Sequence, residues 1–327
     1  MARIAIIGAG MAGLTAAHQL DARHDICLFE RADKAGGRIA SRTAGDFVFD
    51  HGAQFFTAKS AAFKRFLAPY LDSGALVRWD AAFAEFSGPD ITSRRQWDAD
   101  FAHYVGAPNM NALPQALAAP LNIRYGCNIE YIHHDGHFWQ LFDEQQQLLG
   151  EFDWVISTLP AKQSTALFSK HTTILGKLPE NLMRPCYALM LGFIKPQQLD
   201  WQVAHVKQAD ISWMSVNSSK PGRNNAFSML VLATNAWTRS NFQLDLNAAG
   251  EHLLSEVERI AGINRQDLLH QDTKRWTYVN LPRQTAAKAY LDKAQQLAAC
   301  GDWCIQGRVE AAFTSANWLA RKLNSML

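Results

Sequence analysis

The stretch Arg3-Ile4-Ala5-Ile6-Ile7-Gly8-Ala9-Gly10-Met11-Ala12-Gly13-Leu14-Thr15-Ala16-Ala17-His18-Gln19-Leu20, with Ile26-Cys27-Leu28-Phe29-Glu30 after it, decides the fold. Arg3 to Ile7 is a short apolar run rich in β-branched residues, the pattern of a strand buried on both faces. It stops at a glycine-rich turn. A helical pattern follows, with Ala12, Ala16 and Leu20 on one face, and then a second apolar run ends in an acid. Strand, glycine turn, helix, strand and acid therefore fall in one continuous unit.

Each part has a physical task in a βαβ nucleotide fold. Gly8 permits the tight turn, Gly10 lets backbone approach a pyrophosphate, and Gly13 lets the helix pack close to the strand. The first helical turn, Met11 and Ala12, offers N–H groups and a partial positive charge to phosphates. Glu30 is placed to accept hydrogen bonds from ribose hydroxyls and disfavours a 2′-phosphate, an argument weakened by Arg31 beside it, which is also expected to bind the cofactor. The apolar stretch Ile4 to Ala17 could also pass for a signal peptide. Its glycines interrupt an h-region, and no A-x-A site follows, so the nucleotide fold is the expectation.

Composition narrows the function. The chain has 327 residues, 48% hydrophobic and 19% charged, enough for two domains rather than one. Basic and acidic residues number 32 and 30, with no long block of like charge, so nucleic acid is not expected as a partner. Cys27, Cys127, Cys186, Cys300 and Cys304 include no C-x-x-C pair, which argues against a zinc cage or disulfide framework and for free thiols in a cytoplasmic protein. No metal site is expected. No apolar run reaches membrane-spanning length, and the longest, Tyr187 to Ile194, reads as a core strand.

After Glu30-Arg31 comes Gly36-Gly37-Arg38, then Asp50-His51-Gly52-Ala53-Gln54-Phe55-Phe56. An acid, a short spacer and G-G-R resemble the flavin amine oxidase superfamily. The resemblance implies non-covalent FAD, with Gly37 and Arg38 backing its pyrophosphate and the turn at Ala53, Gln54 and Phe55 facing the flavin. The plain alternative is a Gly-Gly loop with a solvated arginine. Near the other end, Leu297 to Ala299 reads as a strand leading to Gly301-Asp302, and Gly307-Arg308-Val309-Glu310 opens an amphipathic helix with Val309, Ala312, Phe313, Ala316, Ala320 and Leu323 on its apolar face. In the superfamily, such an aspartate, here Asp302, binds the pyrophosphate–ribitol stretch. The backbone N–H groups of Val309 and Glu310 would then face the flavin N1–C2=O edge, where a helix N-terminus stabilises negative charge.

The run Phe152 to Gln163 is similar to the family strand that returns to the nucleotide domain and ends in a P-A-x-Q turn, and Ile129 would stand beside the adenine. Residues 129–149 alternate like a β-meander. Within the superfamily the chain most resembles bacterial renalase-like flavoproteins. The shared strings are Gly52 to Ala58, the run Trp213, Asn217 and Ser219-Lys220-Pro221-Gly222-Arg223, Arg275-Trp276-Thr277-Tyr278, and Gly301 to Ala312. The resemblance implies an α/β protein: a discontinuous Rossmann-type FAD domain (1–57, 108–163 and 290–327) and an α+β substrate domain on a mixed sheet (58–107 and 164–289). It also implies oxidation of dihydronicotinamide dinucleotide isomers, with dioxygen reoxidising the flavin to give hydrogen peroxide. A flavin amine oxidase on the same scaffold and a non-catalytic FAD-binding protein are the alternatives.

In the second domain, Phe63, Phe66, Leu67 and Tyr70 are spaced as one helix, and Tyr187 to Phe193 and Ala226 to Ala233 as strands. Trp201, Trp213, Trp237 and Trp276 are either pocket walls or core, with Trp201 expected in the core and Trp276 in the flavin pocket. Two positions depart from the family pattern: Leu232 and Lys274 stand where histidine is usual. Lys274 reads as a surface or loop lysine. His51 is the acid/base candidate beside the Gly52 turn. Cys300 and Cys304 read as packing residues rather than flavin attachment points.

Overall fold

The Arg3–Ile7 strand sits between Asp25–Phe29 and Trp154–Ser157, parallel to both, as its two-face apolar pattern requires. In this computed structural model, which describes every residue except 177, 179–182 and 282–286, the chain divides into two compact units. The first holds residues 1–37, 114–183 and 281–327, and the second holds 38–113 and 184–280.

The first unit is built on a six-stranded sheet. Beyond Trp154–Ser157 lie Leu297–Ala299, parallel, and Tyr290–Asp292, antiparallel; beyond Asp25–Phe29 lies Ile123–Arg124. The helices Met11–Gln19 and Val309–Asn324 pack on one another, and Asn324 Nδ2 donates to the Gln19 carbonyl at 2.9 Å. Tyr131–His134, Trp139–Phe142 and Leu148–Phe152 form the antiparallel meander. The proline of the expected P-A-x-Q turn does something different. Pro160 caps the helix Ala161–Phe168, so the segment starts a helix, which suits a residue with no N–H to satisfy.

The second unit carries a seven-stranded mixed sheet in the order Leu268–Asn280, Arg184–Phe193, Ser228–Ala233, Ile211–Val216, Val203–Lys207, Ala82–Ser87 and Asp90–Gln96. All neighbours are antiparallel except Val203–Lys207 with Ala82–Ser87. Alternation along Arg184–Phe193 divides the sheet into two faces. Tyr187, Leu189, Leu191 and Phe193 meet the helix Leu246–Ala261, whose buried residues are Leu253, Leu254, Val257 and Ile260 among others. Ala188 and Met190 point the other way and pack on Phe47 and Phe49 of the Phe47–Phe49 strand, with Leu230, Leu232 and Trp276.

That packing accounts for a difference from the expected domain boundaries. Residues 38–57 are expected with the nucleotide domain, yet they cluster with the second unit, where Phe49 is wholly buried against the sheet. The helix with Phe63 and Leu67 inward runs Ala61–Asp72, with Ser60 as its N-cap. Lys274 is no loop residue. It lies within the long Leu268–Asn280 strand, paired with Ala188.

Candidate active site

In the first unit the expected cofactor residues gather at one sheet edge. Ile7 is level with Phe29 and Ser157, and Ser157 with Ala299, so four parallel strands end together. Gly8, Glu30, Thr158 and the Cys300–Asp302 segment follow those ends. This is the edge at which parallel α/β sheets bind their ligands.

Two of the three glycines are forced by a neighbour within the protein. Gly8 holds φ +104°, and a Cβ there would come 2.7 Å from Thr158 Oγ1. A Cβ on Gly13 would overlap the Gly8 carbonyl oxygen. Gly10 differs: its nearest obstacle is the Gly37 Cα at 3.9 Å, so the protein itself leaves room above it. Neither Gly10, which starts the helix containing the buried Met11 and Ala12, nor Arg308, which starts the helix containing Val309 and Glu310, caps its helix with a side chain. The first N–H groups of a helix have no partner within it, and its positive end favours an acceptor there. The room at Gly10 and the two uncapped ends fit an FAD pyrophosphate and flavin edge.

Glu30 is buried and accepts from the Ala9 N–H at 2.8 Å and the Ala32 N–H at 2.9 Å. Arg31 beside it is exposed. The Cys127 N–H bonds the Glu30 carbonyl at 2.9 Å, which brings the buried Ile129 to the same end of the sheet. The Asp302 carbonyl accepts from Ile305, Gln306 and Gly307 in a tight loop ahead of Val309, and Gly307 takes the left-handed φ of +65° that this loop demands.

In the second unit the Arg38 carbonyl receives the Ala53 N–H at 2.9 Å, and a Cβ on Gly52 would overlap that same carbonyl. Arg38 and the 52–55 turn are thus one packed element. His51 is stacked on Trp276 with ring centroids 5.3 Å apart, and Trp276 Nε1 donates to the His51 carbonyl at 2.8 Å. Burial, then the positive charges of Lys274 and Arg42, lower the His51 pKa to about 4. His51 is a neutral imidazole at neutral pH, with its buried Nδ1 left without a hydrogen-bond partner. The Lys274 ammonium lies 4.7 Å from the Trp276 ring. Leu232 and Lys274 flank Ala188 in one row across three strands, so both departures from the family pattern share Trp276's face of the sheet.

The four tryptophans separate by face. Trp201 is core, edge-on to Phe86, and Trp237 stacks on His252 on that same helix-covered side. Trp213 is level with Leu232 and lies 5.5 Å from Phe55. Phe55 also touches Trp97 and His103, each at 4.9 Å. Those last two rings are stacked 3.7 Å apart. Trp97, His103 and a buried Asp50–Lys220–Arg223 cluster were not singled out as site residues from sequence. Lys220 and Arg223 lie in one family-like run and Asp50 in another, but nothing in either run shows that they meet. A lysine and an arginine on either side of Pro221-Gly222, shortly after an apolar strand, are the available signal.

A Rossmann-type nucleotide edge joined in one chain to a mixed-sheet domain with a buried aromatic face defines a flavin-dependent oxidoreductase scaffold. Residues 80–324 match the family described as flavin containing amine oxidoreductase, and residues 6–70 match an NAD(P)-binding Rossmann-like domain; the chain belongs to the flavin-containing amine oxidoreductase family. It is an FAD-dependent oxidoreductase. Its fold is similar to a protein assigned as a protoporphyrinogen oxidase from Exiguobacterium sp. 255-15 (13% identity, 99% of both chains, TM-score 0.78). It is also similar to a reduced UDP-galactopyranose mutase (11%, 100% of this chain and 94% of that one, TM-score 0.76) and to a putrescine oxidase bound to putrescine (10%, 99% of both, TM-score 0.66). At these identities the likeness concerns fold. Among the described residues no helix is long and apolar enough to cross a membrane, and no group of His, Cys, Asp and Glu is arranged to hold a metal ion.

Proposed function

We propose that this protein oxidises dihydronicotinamide dinucleotide isomers by hydride transfer, in the manner of renalase-like flavoproteins, with dioxygen as the electron acceptor and hydrogen peroxide as the product. The observation that carries the reading is the His51–Trp276 stack, where the titratable group beside the Gly52 turn is a neutral imidazole with a pKa of about 4. A dihydronicotinamide becomes aromatic on losing hydride and needs no strong base. The flat Trp276 and Phe55 rings suit a planar donor.

FAD, when bound, supplies the two-electron acceptor. Gly8, Gly10, Met11, Ala12 and Gly13 would hold its pyrophosphate, with Gly37, Arg38 and Asp302 in support; Glu30 would take the ribose, and Ile129 the adenine side. Val309 and Glu310 would present backbone N–H groups to the flavin edge, and Ala53, Gln54 and Phe55 would set its substrate side. Attachment would be non-covalent, because burial raises the thiol pKa of Cys304 to about 12 and that of Cys300 well above normal, leaving neither as a thiolate. The fit at Gly10 and the uncapped helix ends support this placement.

Peroxide release in air tests the reading. Dihydronicotinamide isomers should give peroxide in equal amount to donor consumed, and primary or secondary amines should give none. Turnover with amines instead would favour the amine oxidase alternative, and no turnover with any donor would favour a binding protein.

A further inference from the structure

We propose that Lys220 is a positioning residue whose ammonium locks the Gly52–Phe55 turn in place through Asp50 and Gln54. The proposal rests on the reading above that this turn faces FAD.

The Asp50 and Lys220 side chains are wholly buried, and Arg223 is nearly so. Asp50 accepts from Lys220 Nζ at 2.9 Å, Arg223 at 2.6 Å, the Ser41 hydroxyl at 2.6 Å and the Met110 N–H at 2.9 Å. Lys220 has three acceptors for its three protons: Asp50 Oδ2, Asn217 Oδ1 at 2.9 Å and Gln54 Oε1 at 3.4 Å. Gln54 Oε1 also accepts from the Ser215 hydroxyl at 2.9 Å, and its Nε2 donates to the carbonyls of Gly52, at 3.0 Å, and Asp50. The Gln54 side chain thus closes its own turn with one end and is anchored by Lys220 and Ser215 with the other.

Stability alone is a poor reason for this arrangement. Two cations face one carboxylate, and a buried ion pair is often replaceable by apolar residues without loss. What the cluster does that apolar residues would not is fix the turn's conformation. Lys220 comes from the segment after Ile211–Val216, some distance along the chain from Asp50, so it ties the turn to the central sheet. A turn held this way keeps the backbone of Ala53 on the Arg38 carbonyl. Displacements of an ångström in such supports cost rate even when binding survives.

The test uses the FAD-loaded protein and Lys220→Met, which removes the ammonium and keeps most of the stem. Flavin content should stay stoichiometric, while the visible circular dichroism of the flavin and its midpoint potential change. The reduction rate should fall roughly ten- to hundredfold with KM within about twofold of wild type. In Lys220→Ala, added ethylammonium should partly restore the spectrum, which a general loss of packing would not allow. If Lys220→Met does not fold, Ser215→Ala and Gln54→Met each release the same anchor without burying a charge, and both should shift the spectrum in the same direction. Unchanged flavin spectrum and potential in foldable variants, with only thermal stability lowered, would overturn the proposal. Ala53 and Phe55 variants that bind FAD with the wild-type flavin spectrum would instead overturn the placement of the turn.

Discussion

The Glu30 carboxylate accepts the backbone N–H of Ala9 at 2.8 Å, across the ends of two adjacent strands. One oxygen serves Ala9 and the other Ala32, and each keeps a further lone pair for a ribose hydroxyl. Glu30 therefore shapes the glycine turn as well as offering itself to the nucleotide. Glu30→Ala should lose FAD on purification, since charge-assisted hydrogen bonds contribute about 1.5–3 kcal/mol each. Flavin-to-protein absorbance ratios check this, and full occupancy in the variant would remove Glu30 from the ribose.

Gly10 and Gly13 should separate folding from cofactor binding. Gly13→Ala puts a methyl into the Gly8 carbonyl, so the apoprotein itself should be destabilised by several kcal/mol, about the upper range for single substitutions. Gly10→Ala meets nothing closer than 3.9 Å, so the apoprotein should melt as wild type while FAD affinity falls at least about tenfold. Calorimetry of both apoproteins and FAD titration distinguish them. Equal effects on the apoprotein would contradict the open cradle at Gly10.

Val309→Asp places a negative charge at the start of the helix Val309–Asn324, whose first N–H groups are proposed to face the flavin. The midpoint potential should drop, with the reduced flavin destabilised by about 1–3 kcal/mol. FAD should remain bound through Gly8, Gly10 and Glu30. Dye-equilibrated reductive titration reads the potential, and an unchanged value would make Val309 simply a packing residue of that helix.

His51 and His103 are both held neutral by burial, with pKa values lowered from 6.5 to about 4. The unfolded chain binds protons that the folded one does not between those values, so stability is full above about pH 6.5 and is lost as pH falls toward 4. The loss should be about 2–3 kcal/mol for each residue by pH 4. Denaturant unfolding across that range should show the slope, and His51→Asn should reduce it. Lys274→Gln should move the His51 pKa upward, measurable by proton NMR, because Lys274 is the larger of the charges depressing it. A flat stability profile would mean that these imidazoles are reached by water.

How much of this was legible in sequence follows from how local each signal is. The Gly8–Gly13 turn, Glu30 and the Gly301–Val309 segment carry their geometry in a few consecutive residues, and parallel-strand periodicity brings them to one edge. The Asp50–Lys220 pair could not be read this way, since the two are joined by a fold rather than a spacing. The sheet faces are a partial case: the Arg275–Tyr278 string sets Trp276 apart from Trp201, but only the folded sheet puts Trp201 on the helix side and Trp276 beside His51. Residues 38–57 follow the glycine unit in sequence yet pack with the second unit, because the apolar Phe47 and Phe49 find their burial there.

The most direct measurement is anaerobic mixing of the FAD-loaded protein with dihydronicotinamide dinucleotides reduced at different ring positions, followed by flavin absorbance. The account predicts that at least one isomer other than ordinary NADH bleaches the flavin much faster than NADH does, and that admitting air restores the oxidised spectrum with release of peroxide. Bleaching no faster by any isomer than by NADH, in a protein that retains its flavin, would contradict it.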